Sequence, residues 1–254
     1  MRRKRSPPAG VLYVIGMPIG HPDDITIRAV RILRTIDVVA SEDPSVTLPL
    51  LTWHRIRATL TSYGPRGIKE KVAVLIDRLQ QGAHIALVSD CGSPVISDPG
   101  HLLVQAARAH GIRVLSVPGP SALTAAMSVA GISADAFYFH GNLPSSSAAL
   151  RRAISQLLGF QAPTISFVPA AAASNVLRLL AELAPRRSIV FACNLTGLDE
   201  WIARGTPSRV QRMLTEAPHL DKLTLIVRGR GRLRYKGPTK GGGSALATHC
   251  LPVG

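Results

Sequence analysis

Residues 85–122 read IALVSDCGSPVISDPGHLLVQAARAHGIRVLSVPGPSA, and this stretch decides the fold. An apolar run at its start is followed by a loop rich in glycine and proline, a helical pattern over 101–110 and a second apolar run at 113–117. A strand, a helix and a strand at this spacing predict two parallel strands with the helix packed on the sheet. The loops after both strands are then expected at one edge of the sheet, where open α/β sheets bind ligands.

The same alternation continues in both directions from this stretch. Before it, the pattern predicts strands at 11–15, 37–41 and 59–63 and helices at 25–36 and 68–80, with Asp24 as the N-cap of the first helix. After it, the pattern predicts helices at 121–130, 148–158, 173–184 and 208–216 and strands at 136–140, 164–168, 188–193 and 222–228. Pro118-Gly119-Pro120 is the predicted boundary between an N-terminal α/β domain, 11–120, and a C-terminal α/β domain, 121–228.

Composition excludes several classes of protein. Of the 254 residues, 46% are hydrophobic and 18% charged, so the chain can build cores and is not disordered as a whole. No apolar run reaches the roughly 18 residues of a membrane span. The basic start, Met1 to Arg5, is not followed by a signal-peptide cleavage pattern, so we expect a cytoplasmic protein without membrane attachment. The cysteines, Cys91, Cys193 and Cys250, and the histidines lack metal-site spacing, and no metal is expected.

The formal net charge of +15 is concentrated at the two ends of the chain. Residues 1–8 carry four basic groups and residues 228–240 carry six, with no acid in either segment, whereas the residues between them carry 20 basic and 15 acidic groups. We expect the tails, 1–10 and 229–254, to be flexible or disordered. Basic arms of this kind favour binding to a polyanion such as nucleic acid. The alternative is that they only keep the chain soluble.

Three loops that follow predicted strands carry the candidate chemistry: 16–24, 89–100 and 117–122. The first lacks the GxGxxG fingerprint, so a dinucleotide site with Glu42 or Asp43 on the ribose is only weakly indicated. In the second, Asp98 has a structural interpretation as a helix N-cap with Pro99 at N1, whereas Asp90 has none. Together the loops offer backbone N–H and C=O groups with little steric bulk. Such a cleft suits a small zwitterionic or adenosine-containing ligand.

The runs LYVIGMPIGHPDDITIRAVRILRTIDVVASED and IALVSDCGSPVISDPGHLLVQAARAHGIRVLSVPGPSALTAAMSVAG, with the later GNLP, resemble the tetrapyrrole methylase superfamily. Within it the chain is most similar to the small-subunit ribosomal RNA ribose 2′-O-methyltransferase family. The resemblance implies the α/β fold class of class III methyltransferases: two α/β domains, the first with a mostly parallel sheet and the second with a mixed one. It also implies S-adenosylmethionine as cofactor, a homodimer, and ribosomal RNA or the small ribosomal subunit as partner.

The resemblance further assigns residues to the cofactor. Those expected to contact it in the first domain come from all three loops, and in the second domain from strand ends: Pro18, Asp90, Gly92, Ser93, Pro94, Pro118, Ser121, Ala122, Phe167 and Leu195. Two of them have structural alternatives. Ser121 could simply cap its helix, and Asp90 could hold its loop by accepting backbone N–H bonds.

Methylation of a ribose hydroxyl needs a proton acceptor close to the oxygen. The candidates are Asp90, Glu42, Asp43 and His21, and none stands out. Glu42 and Asp43 could merely cap a helix that begins near Pro44, and His21 has the pattern of an exposed turn.

The chain departs from the RNA-methylating family in three segments that would face the substrate: 42–45, 167–173 and 193–197. Each has lost charged residues, and basic side chains normally position a nucleic acid through its phosphates. Three functions therefore stay open: methylation of ribosomal RNA, methylation of a tetrapyrrole or another small acceptor, and binding of cofactor or RNA without turnover.

Overall fold

The first half of the chain forms a five-stranded, wholly parallel sheet. The computed structural model describes residues 9–132, 135–217 and 219–231, so the predicted tails lie almost entirely outside it. The strands are β1 (Val11–Ile15), β2 (Val38–Ser41), β3 (Thr59–Ser62), β4 (Ile85–Val88) and β5 (Arg113–Val117). Their order is β3-β2-β4-β1-β5, and every neighbouring pair is parallel. The parallel sheet predicted from residues 85–122 is confirmed.

Helices cover both faces of this sheet. They are α1 (Ile27–Leu33), α2 (Pro44–Trp53), α3 (Ile68–Gln80) and α4 (His101–Ala109). Helices α1 and α2 pack on one face, and α3 and α4 pack on the other. The expected N-cap Asp24 is wrong: residues 22–24 form a separate 3-10 turn, and α1 is capped by Thr26, whose hydroxyl accepts from Ala29 N at 3.1 Å.

The second half forms a mixed sheet, as expected. Its elements are α5 (Ala122–Val129), β6 (Tyr138–Asn142), α6 (Ser147–Gly159), β7 (Thr164–Val168), α7 (Ala173–Leu183), β8 (Ile189–Cys193), β9 (Trp201–Gly205), α8 (Pro207–Met213) and β10 (Leu223–Val227). The strand order is β6-β7-β10-β8-β9, with β6 and β7 parallel and the other pairs antiparallel. Strand β9 was not predicted, because WIARG is a short edge strand whose arginine and glycine weaken its apolar alternation.

The two faces of the second sheet are covered differently. Helices α6, α7 and α8 bury one face, whereas α5 packs on the other together with Ile19 from the first half. The buried contact that joins the halves includes Ile19, Ala126, Leu195 and Ile226. A cleft remains beside this contact, between the carboxyl ends of the first sheet and the start of β10. Among the described residues no helix has the length and apolar character that a membrane crossing requires.

Candidate functional site

Backbone hydrogen bonds join the three predicted loops into one rim. Gly16 N donates to Val117 O at 3.0 Å, and Met17 N donates to Gly92 O at 2.8 Å. Gly16 and Gly119 are in direct contact, since a Cβ on Gly16 would lie 2.8 Å from the Cα of Gly119. Real Cβ atoms do not approach backbone this closely, so both positions need glycine. The sequence therefore allows the loops after β1, β4 and β5 to meet.

Asp98 fixes the conformation of the loop after β4. Its carboxylate accepts from Val95 N at 2.6 Å and from Gly100 N at 2.7 Å. Val95 has a φ of 76°, which a β-branched residue rarely adopts. The hydrogen bond that Val95 N donates to the Asp98 carboxylate stabilises this backbone conformation. The predicted N-cap role of Asp98 is not observed, because α4 begins two residues later than that role requires, at His101, with Gly100 in the cap position. The constraint in this loop serves the shape of the rim.

Asp90 joins the loop after β4 to the loop after β2. Its Oδ1 accepts from Asp43 N at 2.9 Å, and Asp43 in turn caps α2 by accepting from Ser45 N at 2.8 Å. Burial raises the pKa of the Asp90 carboxyl, and burial followed by the charges of Asp90, Asp98 and Asp43 raises the pKa of Glu42. The Ser45 hydrogen bonds lower the pKa of Asp43. In this structure the Asp90 side chain holds its loop by accepting a backbone N–H bond, and the Asp43 side chain caps α2.

A cavity of about 300 Å³, the inner cavity, opens between the halves. Five of the residues expected to bind a cofactor line it: Gly92, Ser93, Ser121, Ala122 and Phe167. Ser121 occupies the N-cap position of α5, but its side chain makes no capping bond, so the capping alternative is wrong and the hydroxyl is available to a ligand. The lining also includes Ile19, Cys91, Asn142, Asp221, Lys222, Leu223 and Thr224.

The other expected cofactor residues do not line the inner cavity. Pro18 and Pro94 are buried, Pro118 is exposed beside the rim, and Asp90 lies behind the loop. Leu195 is 5% exposed within the contact between the halves. A Cβ on Gly20 would lie 2.4 Å from Leu195 O, so the loop after β1 rests directly on the chain at Leu195.

Asp221, Lys222 and Thr224 were missed by the sequence analysis. They lie at the start of β10, which runs antiparallel to its neighbours and so brings its amino end to the cleft. Open α/β sheets bind ligands at the carboxyl ends of their parallel strands, and this rule does not cover the amino end of an antiparallel strand. Lys222 Nζ donates to Ile19 O at 3.3 Å across the contact between the halves. Cys91 lies nearby, and burial raises the pKa of its thiol.

A second cavity of about 500 Å³, the outer cavity, adjoins the inner one. The two share Ile19, Asp221 and Lys222. The outer cavity is also lined by His21 and by Trp53, which is 63% exposed and donates from Nε1 to Asp23 Oδ1 at 2.9 Å. Of the four proton-acceptor candidates, only His21 lines either cavity, whereas Glu42, Asp43 and Asp90 line neither.

The electrostatic character of the cleft comes from few charges. Within the described ranges no group of three or more His, Cys, Asp or Glu side chains is placed to hold a metal ion. Asp221 and Lys222 are the charged groups that line both cavities, and the floor of the inner cavity is formed by Phe167 and Thr224, which pair across β7 and β10. The arrangement suits a ligand with an apolar body and a few polar groups.

Comparison with known proteins gives consistent matches over most of the chain. The sequence profile of the tetrapyrrole (corrin/porphyrin) methylases matches residues 11–211. The ribosomal RNA small subunit methyltransferase I of Thermotoga maritima is 35% identical over 221 residues, which cover 87% of this chain and 99% of that protein. The protein of the same name from Xylella fastidiosa is 38% identical over 226 residues, covering 87% of this chain and 82% of that one.

Solved structures with the same fold include more distant proteins. The uroporphyrin-III C-methyl transferase from Thermus thermophilus, complexed with S-adenyl homocysteine, superposes with a TM-score of 0.58 at 17% identity. The superposition covers 85% of this chain and 97% of that one. At this level of identity the likeness concerns the fold.

Proposed function

Because the chain belongs to the family of tetrapyrrole (corrin/porphyrin) methylases, we propose that it is an S-adenosylmethionine-dependent methyltransferase that acts on ribosomal RNA of the small subunit. The substrate follows the names of the Thermotoga and Xylella relatives, and we take the ribose 2′-hydroxyl as the acceptor atom. The observation that carries the proposal is the pair of adjoining cavities at the loops with the family motifs. One cavity can hold a methyl donor and the other an acceptor.

The residues of the inner cavity fit the cofactor. Its dimensions and apolar floor suit a nucleoside, and Ser93 and Ser121 line it. The Ser121 hydroxyl makes no capping bond and can bond to a polar group of the ligand. A Cβ on Gly92 would lie 3.3 Å from Ile19, so glycine keeps this wall open. S-adenosylmethionine, when bound, supplies a methyl group on a positively charged sulfur. The complex of the Thermus relative with S-adenyl homocysteine supports this choice of cofactor.

The outer cavity is suited to the acceptor nucleotide. Bases of single-stranded RNA commonly stack on aromatic side chains, and Trp53 offers an exposed ring in this cavity. His21 Nδ1 accepts from Asp23 N at 3.2 Å, which leaves Nε2 free to contact the ligand. A nucleotide held here would reach the inner cavity past Asp221 and Lys222.

The chain contributes two things to the reaction. The first is position: the linked loops and the docked halves hold donor and acceptor sites next to each other, and correct placement alone can supply much of the acceleration of a displacement reaction. The second is a proton acceptor for the ribose hydroxyl, and we assign this role to Asp221. Asp221 lines both cavities, whereas Asp199, the other acidic residue of the outer cavity, has a carboxylate that accepts from Asn194 Nδ2 at 2.6 Å.

Transfer of a tritiated methyl group from S-adenosylmethionine to isolated small ribosomal subunits tests the function. We expect label in one nucleotide of the ribosomal RNA, resistant to alkali at the following phosphodiester because the 2′-oxygen is methylated. Label on a tetrapyrrole but not on RNA would identify a different acceptor. Cofactor binding in calorimetry without transfer to either acceptor would contradict an enzymatic role.

Two isosteric variants test the proton acceptor. Asp221→Asn should lower kcat by about 100-fold or more, the usual contribution of a general base, while the Kd for S-adenosylhomocysteine stays within a factor of two or so. Asp90→Asn is the matched control, since an amide oxygen can still accept from Asp43 N and kcat should be kept. A loss of kcat in Asp90→Asn but not in Asp221→Asn would move the role to Asp90.

The proposal extends to assembly and location. The resemblance implies a homodimer, and exposed apolar side chains on α1 and α2, namely Ile27, Val46 and Leu48, are available for an interface. Light scattering would then give about twice the chain mass of 27.0 kDa. A protein that acts on ribosomal RNA would work in the cytoplasm.

A further inference from the structure

An arginine-rich groove lies at the end of the second sheet that faces away from the cleft. It has a volume of about 550 Å³ and is lined by Pro185, Arg186, Arg187, Ser188 and Arg228, among others. Arg230 lies next to the groove. Burial of Arg187, and secondly the nearby charge of Arg230, lower the pKa of Arg187. These four arginines, 186, 187, 228 and 230, are called the arginine groove below.

Backbone carbonyls hold two of these side chains in place. Arg187 Nη1 donates to Arg228 O at 3.1 Å, and Arg230 Nε donates to Leu158 O at 2.7 Å. The backbone here is also fixed, since Arg228 N donates to Ser188 O at 3.0 Å and Arg230 N to Phe160 O at 3.0 Å. A guanidinium group has five N–H donors, so both side chains keep donors for a ligand. Arg186 and Arg228 are exposed.

The charge of the groove is not compensated by the protein. In the part of the chain that the structure describes, none of the four arginines pairs with a carboxylate. The nearest acid along the chain, Glu182, pairs instead with Arg151 at 2.6 Å. Because like charges repel, four arginines at one site destabilise the free protein unless an anion binds there.

The position of the groove is fixed relative to the cleft. Strand β10 connects them: Leu223 and Thr224 line the inner cavity, and Arg228 follows the last residue of the strand, Val227. Five residues of strand correspond to about 17 Å. A single RNA strand can span this separation, so one RNA could occupy both sites. The sequence leaving the described region at Gly231 continues with Arg232, Arg234, Lys236 and Lys240.

From this geometry we infer that the arginine groove is a second RNA-binding site, which holds phosphates of the substrate away from the target nucleotide. The inference rests on the proposed function for the identity of the polyanion. Guanidinium groups bind phosphate oxygens with paired N–H donors, and such contacts position a nucleic acid without reading its sequence.

The test compares two double variants of the full-length protein. Arg186→Gln with Arg228→Gln removes two groove charges whose side chains make no hydrogen bonds in the described structure, whereas Arg78→Gln with Arg108→Gln removes two exposed charges from α3 and α4. The dissociation constant of a fluorescein-labelled fragment of small-subunit ribosomal RNA is measured over a series of KCl concentrations. Unfolding midpoints equal to that of the wild-type protein verify the fold.

The groove variant should lower the slope of log Kd against log salt by about 1.5, because each phosphate contact contributes about 0.7–0.9. In the methyl-transfer assay it should raise KM for RNA and keep kcat, since the groove is remote from the cleft. Equal slopes in the groove variant, the control and the wild-type protein would overturn the inference, as would loss of binding to phosphatidylglycerol vesicles with an unchanged RNA slope.

The result is distinguishable from a failure of the proposed function. If the wild-type protein methylates RNA but the slope does not respond to the groove variant, only the groove is refuted. If the slope responds but no methyl group is transferred, the groove binds RNA and the proposed function is wrong. The single variants Arg186→Gln and Arg228→Gln should each give about half of the change in slope.

Discussion

Asn194 joins two segments of the second half through its side chain. Its Nδ2 donates to Asp199 Oδ2 and to His219 O, both at 2.6 Å, and its Oδ1 accepts from Lys222 N at 3.0 Å. Asn194 lies in segment 193–197, one of those expected from the sequence to depart from the RNA-methylating family. Its side chain fixes the backbone at Lys222, next to Asp221.

The carboxylates behind the loop after β4 make stability depend on pH. Burial and the neighbouring acids raise the pKa of Glu42 above its ordinary value of 4.5. A folded-state pKa above the unfolded value means that the folded protein holds the proton longer, so the free energy of unfolding decreases as pH rises from 4.5 through the raised pKa. The ionised Glu42 therefore destabilises the protein at neutral pH.

Glu42→Gln should consequently raise the thermal unfolding midpoint at pH 7. The gain should largely disappear at pH 4, where the wild-type side chain is mostly protonated in both states. Calorimetric or circular dichroism melts at the two pH values measure the effect. Glu216→Gln, at an exposed position outside the α-helices, serves as control and should change neither midpoint appreciably. A lower midpoint for Glu42→Gln at pH 7 would show that contacts of the ionised Glu42 outweigh its burial and its repulsion by the neighbouring acids.

At the scale of elements, the local sequence pattern predicted the strands and helices that have a clear apolar periodicity. It did not predict features that depend on pairing with distant strands. The strands β1, β4 and β5 and helix α3 lie close to their predicted positions, because short apolar runs mark the strands and a one-sided apolar stripe marks the helix. Strand β9 was missed because an edge strand needs little apolar surface. The antiparallel course of β10, and with it the position of Asp221 and Lys222, depends on pairing between distant segments that the local pattern does not encode.

The contact between the loops after β1 and β5 can be tested with a single methyl group. Gly16→Ala places a Cβ 2.8 Å from both the Cα and N of Gly119, so one loop must move. We expect weaker S-adenosylhomocysteine binding, by about tenfold, since the displaced rim carries Ser121. Gly159→Ala is the matched control: nothing lies within 4 Å of its Cβ, and it sits in the last turn of α6. Its stability should be unchanged or raised by up to about 1 kcal/mol.

Calorimetric titration with S-adenosylhomocysteine measures the affinities, and circular dichroism verifies that both glycine variants are folded. Wild-type affinity in Gly16→Ala would mean that the rim tolerates a shift of this size or that the ligand does not contact it. Ser121→Ala distinguishes these two explanations, because it removes a hydroxyl of the inner cavity without adding bulk. Weaker binding in Ser121→Ala would show that the ligand contacts the rim and that the rim tolerates the shift.

At the scale of the whole molecule, the cleft exists only because the halves are docked. The inner cavity takes its walls from both, and the contact beside it is apolar and buried, with Ile19 of the first half against Leu195 and Ile226 of the second. A ligand in the cavity therefore bridges the halves and stabilises their docked arrangement, by a free energy that grows with the logarithm of its concentration relative to its Kd. Conversely, a residue of the contact that lines neither cavity, such as Leu195, influences ligand affinity without touching the ligand.

Two leucines of one loop allow the docking of the halves to be tested with a matched control. Leu195 is 5% exposed in the contact between the halves, whereas Leu198, three residues on, is 100% exposed at the outer cavity. Leu195→Ala should reduce the free energy of unfolding by about 2–5 kcal/mol, the usual loss for a buried leucine, and should weaken S-adenosylhomocysteine binding because the halves dock less firmly. Leu198→Ala should leave both quantities close to those of the wild-type protein, since an exposed side chain has no buried surface to lose. Urea unfolding and calorimetric titration measure the two effects. If Leu195→Ala were destabilised but bound the ligand with unchanged affinity, the halves would not need this contact to form the cleft, and the coupling between docking and binding would be wrong.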